Sequence, residues 1–160
     1  LVKIQTMKVK EATVAYKTTN PLKRVEQEKA KVIPVYRWSR FDKIDTIKNG
    51  ISKEELEALK EQSGLDYDTL AKILNVTKAT LHNKKGKEKF DQYISERIFL
   101  LADLYSYGYE AFESKEGFNQ WMKTGNRSLG GVTPLSMLDT LYGLEEVKHL
   151  IGRIEYGIFS

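Results

Sequence analysis

Side chains that could carry out catalysis are scarce in this chain. Its 160 residues include two histidines, His82 and His149, and no cysteine, so a cysteine nucleophile and thiolate metal ligands are excluded. The neighbouring carboxylates Glu145-Glu146 would lie about 100° apart on a helix and cannot face one substrate together. The pair Gly130-Gly131 is too short for a phosphate-binding loop, and no Lys-Ser or Lys-Thr follows it. We therefore expect no enzyme activity, no bound metal and no cofactor.

A stretch in the middle of the chain carries side chains suited to reading DNA. Residues 70–85, LAKILNVTKATLHNKK, have the pattern of a helix-turn-helix. Ala71 is small where two helices would cross, and Asn75 stands at a turn whose backbone needs a positive φ. Asparagine can bond an adenine edge, and lysine can reach guanine or phosphate. The candidate DNA-binding residues are Thr77, Lys78, Ala79, His82, Asn83, Lys84 and Lys85.

The second helix of this pattern has an unusual end. Thr77 would cap it, but lysines occupy the positions one turn after Leu81, where an apolar residue is normally found. This predicts a helix that is short or weakly anchored and reaches no further than about Lys85. The alternative interpretation is an ordinary helical hairpin with a solvated face.

The end of the chain, GRIEYGIFS, carries apolar and aromatic side chains where a free end is usually polar. Arg153, Glu155 and Tyr156 follow the core face of the last predicted helix and are free to point outward. Burial of an apolar or aromatic side chain in a partner would contribute about 1.5–3 kcal/mol. The alternative is that this segment folds back into the chain's own core or into a dimer interface. The candidate partner-binding residues are Arg153, Glu155, Tyr156, Gly157, Ile158, Phe159 and Ser160.

Helices must position both groups, and helical signals dominate from Phe41 onward. Ser52 and Glu55 form a capping box, Asp66 and Ser114 would cap further helices, and Thr133-Pro134 would start another. A long amphipathic helix is predicted from Phe90 to Phe112 and a last helix from near Gly143. The predicted buried positions are Phe90, Ile94, Ile98, Leu101, Leu104 and Tyr105 on the long helix, and Leu144, Val147, Leu150, Ile151 and Ile154 on the last one.

The sequence therefore predicts an all-α protein in three parts. Residues 1–40 show no sustained period and are interpreted as a basic, partly extended arm. Residues 41–89 would form the helix-turn-helix domain, and residues 90–160 a long dimerisation helix followed by a small helical domain.

Charge is unevenly distributed along the chain. Residues 1–50 have a net charge of +7, residues 51–89 of +1 and residues 90–160 of −4. The basic N-terminal part suits a polyanion such as DNA, and the acidic C-terminal part suggests a different partner. The simpler alternative is that these charges are scattered over the surface and solvated. The absence of cysteine, of an apolar signal segment at the start and of a run of 18 apolar residues leads us to expect a cytoplasmic protein without a membrane span.

Residues 118–160 resemble the toxin-binding domain of the Xre/MbcA/ParS antitoxins, which are partners of RES-domain toxins. A helix-turn-helix precedes that domain in the family in the same order, so the resemblance covers about residues 41–160. The matching elements are Trp121, Asn126, Leu129-Gly130-Gly131, Thr133-Pro134-Leu135, Leu138, Gly143, Val147, residues 152–157 and Phe159-Ser160.

This resemblance implies an all-α homodimer with an Xre-like helix-turn-helix domain and a toxin-binding domain. It implies an antitoxin that binds a RES-domain toxin, blocks the active site of that NAD-consuming enzyme and represses its own operon at operator DNA. The two proteins would form a larger hetero-oligomer, and the NAD chemistry would belong to the toxin. The alternatives are a stand-alone transcriptional regulator that uses the last domain only for dimerisation, and a scaffold with no role at DNA.

Overall fold

The computed structural model describes residues 36–157, so the expectations for residues 1–35 and for Ile158, Phe159 and Ser160 lie outside it. Within the described range the chain is helical and contains no β-strand, which confirms the all-α prediction; a single antiparallel bridge joins Ser52 and Lys89. The helices are α1 (Arg40–Asn49), α2 (Lys53–Ser63), α3 (Tyr67–Leu74), α4 (Lys78–Asn83), α5 (Gln92–Phe112), α6 (Lys115–Met122) and α7 (Leu141–Glu155), with 3₁₀ turns at Arg127–Leu129 and Pro134–Met137.

The predicted helix starts are confirmed by their caps. The Ser52 hydroxyl accepts a hydrogen bond from the Glu55 amide at 3.3 Å, and the Ser52 amide donates to the Glu55 carboxylate at 2.7 Å. Asp66 and Ser114 cap α3 and α6 in the same way, each accepting from an amide three residues later. These bonds satisfy amides that have no partner inside the helix, which is why short polar side chains mark the starts so reliably.

The long helix α5 is the centre of the fold. It contacts α1, α2, α3, α6 and α7, and every position of its predicted buried stripe is buried. The helix itself starts at Gln92 rather than at Phe90, because Asp91 caps it by accepting from the Ile94 amide at 2.9 Å. Phe90 is buried in the segment that leads into the helix.

Helix α6 is held on α5 by an aromatic cluster around Phe118. The Phe118 ring meets Tyr105 and Tyr109 edge-on and packs against Phe112 and Trp121, with centroid distances of 5.3–5.8 Å. Phe118 also covers Gly108 so closely that a Cβ there would overlap its ring. Trp121 is half-buried and packs against the hydrophobic core.

Helix α7 begins at Leu141, two residues before the predicted start, with Thr140 as its cap. Its predicted core face is buried except at Ile154, which is half-buried. The buried Gly143 permits close packing of the helix on the preceding turn, since a Cβ there would overlap the carbonyl oxygen of Met137.

Helix α1 packs on α5 without burying any of its own residues. Three apolar residues recur along this helix at three-residue spacing: Phe41 and Ile44 are exposed, and Ile47 is half-buried against the core. None of the helices in the described range is long and apolar enough to cross a membrane.

Candidate functional site

The helix-turn-helix is formed by α3, a tight turn and α4. Asn75 adopts φ = 55°, as predicted, and its amide donates to the carbonyl of Lys72 at 3.1 Å. The next amide, of Val76, donates to the carbonyl of Ala71 at 3.0 Å. Leu81 of α4 is fully buried, so both helices are fixed to the domain core.

The second helix is short, as its lysine-rich end suggested. It ends at Asn83, and Lys84 at its C-cap is extended with ψ = 145°. A buried side chain from α2 meets its last turn: the Lys53 ammonium donates to the carbonyl of Leu81 at 2.8 Å. Helix α4 has six residues, and this bond satisfies one of the carbonyls that have no partner inside the helix at its C-terminal end.

Some of the predicted DNA-binding side chains are exposed, and others contact neighbouring residues of the domain. Ala79 and Asn83 are exposed on α4, and Lys85 is exposed just beyond it. The Lys78 ammonium forms an ion pair with Asp68 of α3 at 2.9 Å, and the His82 ring lies against Tyr67 with a centroid distance of 4.1 Å. Thr77 uses its hydroxyl to cap the helix and Lys84 is half-buried. Sequence reasoning missed Asp68 and Tyr67, which hold two of these side chains in place.

A second surface lies at the C-terminal end of α7, where an open cavity of about 660 Å³ is found. Three of the predicted partner-binding residues, Arg153, Glu155 and Tyr156, line it. Gly157 lies just beyond them with φ = 66°. We call this cavity the tyrosine groove; its lining residues are Tyr36, Tyr107, Lys148, His149, Gly152, Arg153, Glu155 and Tyr156.

Two of the tyrosine rings that line this groove pack against each other. The rings of Tyr36 and Tyr107 pack with a centroid distance of 4.7 Å. The Tyr107 hydroxyl donates to the Glu155 carboxylate at 2.6 Å. Burial, together with this hydrogen bond, raises the pKa of Tyr107, so the phenol remains a donor even at alkaline pH. At Gly152 a Cβ would lie 3.2 Å from the Tyr107 oxygen, so glycine keeps this part of the groove open.

The charged rim of the tyrosine groove contains one cation without a partner nearby. Among residues 36–157, the Arg153 side chain has no hydrogen bond or ion pair, although the residue is only half-exposed. Glu155, by contrast, is engaged by Tyr107, and Lys148 forms an ion pair with Asp103 at 2.8 Å. Arg153 is therefore free to receive a planar anionic group such as a carboxylate.

Asp103 links the groove to α1. This side chain is buried in α5, and its two oxygens accept from Lys43 at 2.6 Å and Lys148 at 2.8 Å. The same Lys43 ammonium donates to the carbonyl of Tyr36 at 2.7 Å, and the Tyr36 amide donates to the Ser106 hydroxyl at 3.3 Å. Both backbone groups of Tyr36 are thereby held, the amide by Ser106 of α5 and the carbonyl by Lys43 of α1.

Sequence reasoning missed Tyr36 and Tyr107 as groove residues, because residues far apart in sequence build the groove together. One signal was present in the sequence: Asp103 interrupts the apolar stripe of α5, where a charge needs a partner. Across the described range, no group of three His, Cys, Asp or Glu side chains could hold a metal ion.

Comparison with protein families gives two matches that follow one another along the chain. Residues 42–103 match the antitoxin Xre-like helix-turn-helix domain. Residues 108–157 match the antitoxin Xre/MbcA/ParS C-terminal toxin-binding domain, and this range contains the groove residues of α7.

Three curated proteins are similar to this chain. An antitoxin Xre from Photorhabdus laumondii subsp. laumondii is 46% identical over 76 residues, which cover 47% of this chain and 51% of that protein. A protein named Prs ADP-ribosylating antitoxin from Sphingobium sp. is 28% identical over 136 residues, 79% of this chain and 86% of that protein. An antitoxin Xre from Yersinia enterocolitica is 28% identical over 119 residues, 73% of this chain and 80% of that protein.

The chain thus spans about half of the Photorhabdus relative and most of the other two. The order of the two domains, the helix-turn-helix built by α3 and α4 and the exposed end of α7 all agree with these matches. The chain belongs to the Xre/MbcA/ParS antitoxins, as an antitoxin of a toxin–antitoxin system with a helix-turn-helix domain followed by a toxin-binding domain.

Proposed function

We propose that this antitoxin neutralises an NAD-consuming RES-domain toxin by placing the end of α7 and the residues after it in the toxin's active site. The observation that supports this proposal is the exposure of side chains at the C-terminal end of α7, in the toxin-binding domain. Tyr156 is 78% exposed at the C-cap of α7, beside an Arg153 that has no partner among residues 36–157. Exposed tyrosine and arginine side chains are the residue types that most often anchor protein–protein interfaces.

The packing of α7 supports this role because it prepares the binding segment in advance. The core face of the helix is buried, and the Tyr156 amide donates to the carbonyl of Gly152 at 3.1 Å. Ordering a free residue costs roughly 1–2 kcal/mol, whereas burying an aromatic or aliphatic side chain contributes about 1.5–3 kcal/mol. Arg153 and Tyr156 are already held by the helix, so their contacts with the toxin carry little of this ordering cost.

The central experiment co-expresses the antitoxin with a RES-domain protein, taken from the neighbouring gene where that gene encodes one, and measures growth rescue and co-purification. Removing residues 156–160 should leave the thermal midpoint unchanged and abolish rescue. A matched pair of point variants sharpens the test: Tyr156→Ala should weaken rescue, whereas Tyr142→Ala should not. Tyr142 is equally exposed, at 80%, but lies at the opposite end of α7.

Two results would contradict this proposal. If the truncated protein still protects cells, the segment does not block the toxin. If the truncated protein unfolds, residues 156–160 belong to the core, as the alternative interpretation holds.

The second part of the proposal is repression of the antitoxin's own operon by a homodimer. The exposed Ala79 and Asn83 of α4 face outward, where a recognition helix would meet base edges, and Lys85 lies where a phosphate could be reached. A stand-alone regulator would bind its operator equally well and would give no growth rescue. The co-expression experiment therefore separates these two functions.

A further inference from the structure

The lysine that begins the second helix of the helix-turn-helix is held by a carboxylate. Lys78 is the first residue of α4, at the end of the helix where side chains usually meet base edges. Its ammonium donates to the carboxylate of Asp68 at 2.9 Å. Asp68 is the second residue of α3, so this ion pair joins the first turns of the two helices.

Two other lysines of the helix-turn-helix are available for phosphates. The side chains of Lys72 and Lys85 are exposed and form no hydrogen bond or ion pair with residues 36–157. Lys72 lines the same open cavity of about 550 Å³ as Asp68 and Lys78. A phosphate bound by Lys78 would come close to the negative charge of Asp68, whereas a phosphate bound by Lys85 would not. Lys78 is therefore the least suited of the three lysines to a phosphate contact.

The position of Asp68 is not explained by the stability of the fold. An ion pair whose members are 66% and 50% exposed contributes little to the free energy of unfolding. The start of α3 is already capped by Asp66, which accepts from the Thr69 amide at 2.8 Å. The pKa of Asp66 is lowered by its hydrogen bonds with Thr69 and, to a smaller extent, by the charge of Lys78. A second carboxylate on a surface that faces DNA repels phosphates, so we looked for its use in base reading.

We propose that Asp68 is a positioning residue for base reading, which directs the Lys78 ammonium to a guanine of the operator. This inference rests on the proposed repression of the operon. An ammonium has three N–H donors, of which Asp68 uses one, and the O6 and N7 atoms of guanine can accept the other two. Because the long side chain is held in advance, less conformational entropy is lost when it meets the base.

The same ion pair should lower the affinity for other DNA. Where no guanine lies opposite Lys78, the ammonium gains no base contact, but the repulsion between Asp68 and the phosphates remains. Asp68 thus increases the difference in affinity between the operator and unrelated DNA, and it does so partly by weakening the second of these affinities.

The test measures the affinity of full-length variants for the promoter of the antitoxin's own gene and for a scrambled fragment of the same composition. Asp68→Asn should raise the affinity for scrambled DNA about threefold and reduce the preference for the promoter about tenfold. Asp68→Glu retains the carboxylate and should recover most of this preference. Glu61→Gln is the matched control for net charge and should behave like the wild type. Glu61 is exposed on α2 beside Gln62, whose carbonyl accepts from Asn119 of α6 at 3.0 Å.

A double-mutant cycle shows whether Asp68 acts through Lys78. Lys78→Ala should reduce the preference for the promoter about tenfold, and adding Asp68→Asn should reduce it no further. Promoter fragments with one G·C pair replaced at a time then locate the base. One replacement should weaken binding of the wild type about tenfold but change binding of Lys78→Ala and of Asp68→Asn less than about twofold.

The possible results separate this inference from the proposed function. A wild type that binds both fragments equally well contradicts the proposed repression, and this inference with it. A wild type that prefers the promoter, with the same preference in Asp68→Asn, overturns only the inference. A further loss when Asp68→Asn is added to Lys78→Ala would show that Asp68 does not act through the lysine. Equal losses of affinity for both fragments, with a lower thermal midpoint, would make Asp68 structural. Either of these last two results also overturns the inference.

Discussion

The ionic bridge centred on Asp103 offers a quantitative test of how the fold is held together. Asp103→Asn keeps the shape of the side chain and removes its charge. The two ammonium groups of Lys43 and Lys148 would then face a neutral amide that can accept well from only one of them. The substitution leaves no cavity, so the change in the free energy of unfolding reports mainly on the charge.

The expected loss of stability is about 2–3 kcal/mol. Removing one partner of a fully buried pair costs about 3–5 kcal/mol, because the remaining charge stays buried. Here Asp103 is 6% exposed, but Lys43 and Lys148 are 23% and 40% exposed. The lysines can therefore recover part of their hydration, which lowers the expected cost.

Urea unfolding followed by circular dichroism measures this loss, and the chain supplies a matched control. Asp68 and Lys78 form an ion pair of similar length, 2.9 Å, but are 66% and 50% exposed. Asp68→Asn should therefore cost less than about 1 kcal/mol. A triple variant with Lys43→Met, Asp103→Leu and Lys148→Met should recover most of the lost stability, since an apolar replacement leaves no buried charge unpaired.

Equal losses in Asp103→Asn and Asp68→Asn would refute this reasoning. Burial of the carboxylate would then have no measurable effect on the strength of the bridge. A triple variant as unstable as Asp103→Asn would show instead that packing around residue 103, and not its charge, determines the loss.

Three further predictions concern packing, pH and DNA. Gly143→Ala should destabilise the fold by about 1–3 kcal/mol in urea unfolding, because the added Cβ meets a backbone carbonyl that cannot rotate away. Burial raises the pKa of Tyr109 to about 12. The stability that Tyr109 contributes is therefore complete below about pH 10 and is lost as the pH rises toward 12. The free energy of unfolding, measured between about pH 9 and 12, should fall less steeply with pH for Tyr109→Phe than for the wild type. Asn83→Ala should cost about 1–3 kcal/mol on the specific operator only, whereas Lys85→Ala should weaken all DNA sequences alike and lower the salt slope by about one in a binding titration.

The parts of the fold that depend on near neighbours were predictable from the sequence. The Ser52–Glu55 capping box and the left-handed turn at Asn75 involve residues within one turn of each other, and their types specify the geometry. The stripe of α5 was readable because it repeats over many residues. The ten-residue α1 carries too few apolar positions to indicate which face packs, and it is held instead by the distant Asp103.

The tyrosine groove was only half predictable. Arg153, Glu155 and Tyr156 could be found because they follow the core face of α7 along the chain. Tyr36 and Tyr107 are far apart in sequence and meet only in the tertiary structure, so no local pattern signals their contact. The same applies to Lys53, which donates to the last turn of α4 from 28 residues away in sequence.

The brevity of α4 limits how much sequence information one antitoxin molecule can extract from DNA. Six residues span about 9 Å, which matches roughly three base pairs at a rise of about 3.4 Å. Three base pairs distinguish only about 64 sequences, far fewer than the 10⁶ or more sites that a genome offers. Under the proposed repression of its operon, the operator would therefore have to be recognised by several α4 helices presented at a set spacing. Repression of the promoter would then depend on the number of antitoxin chains in each assembly more than on the DNA affinity of a single chain.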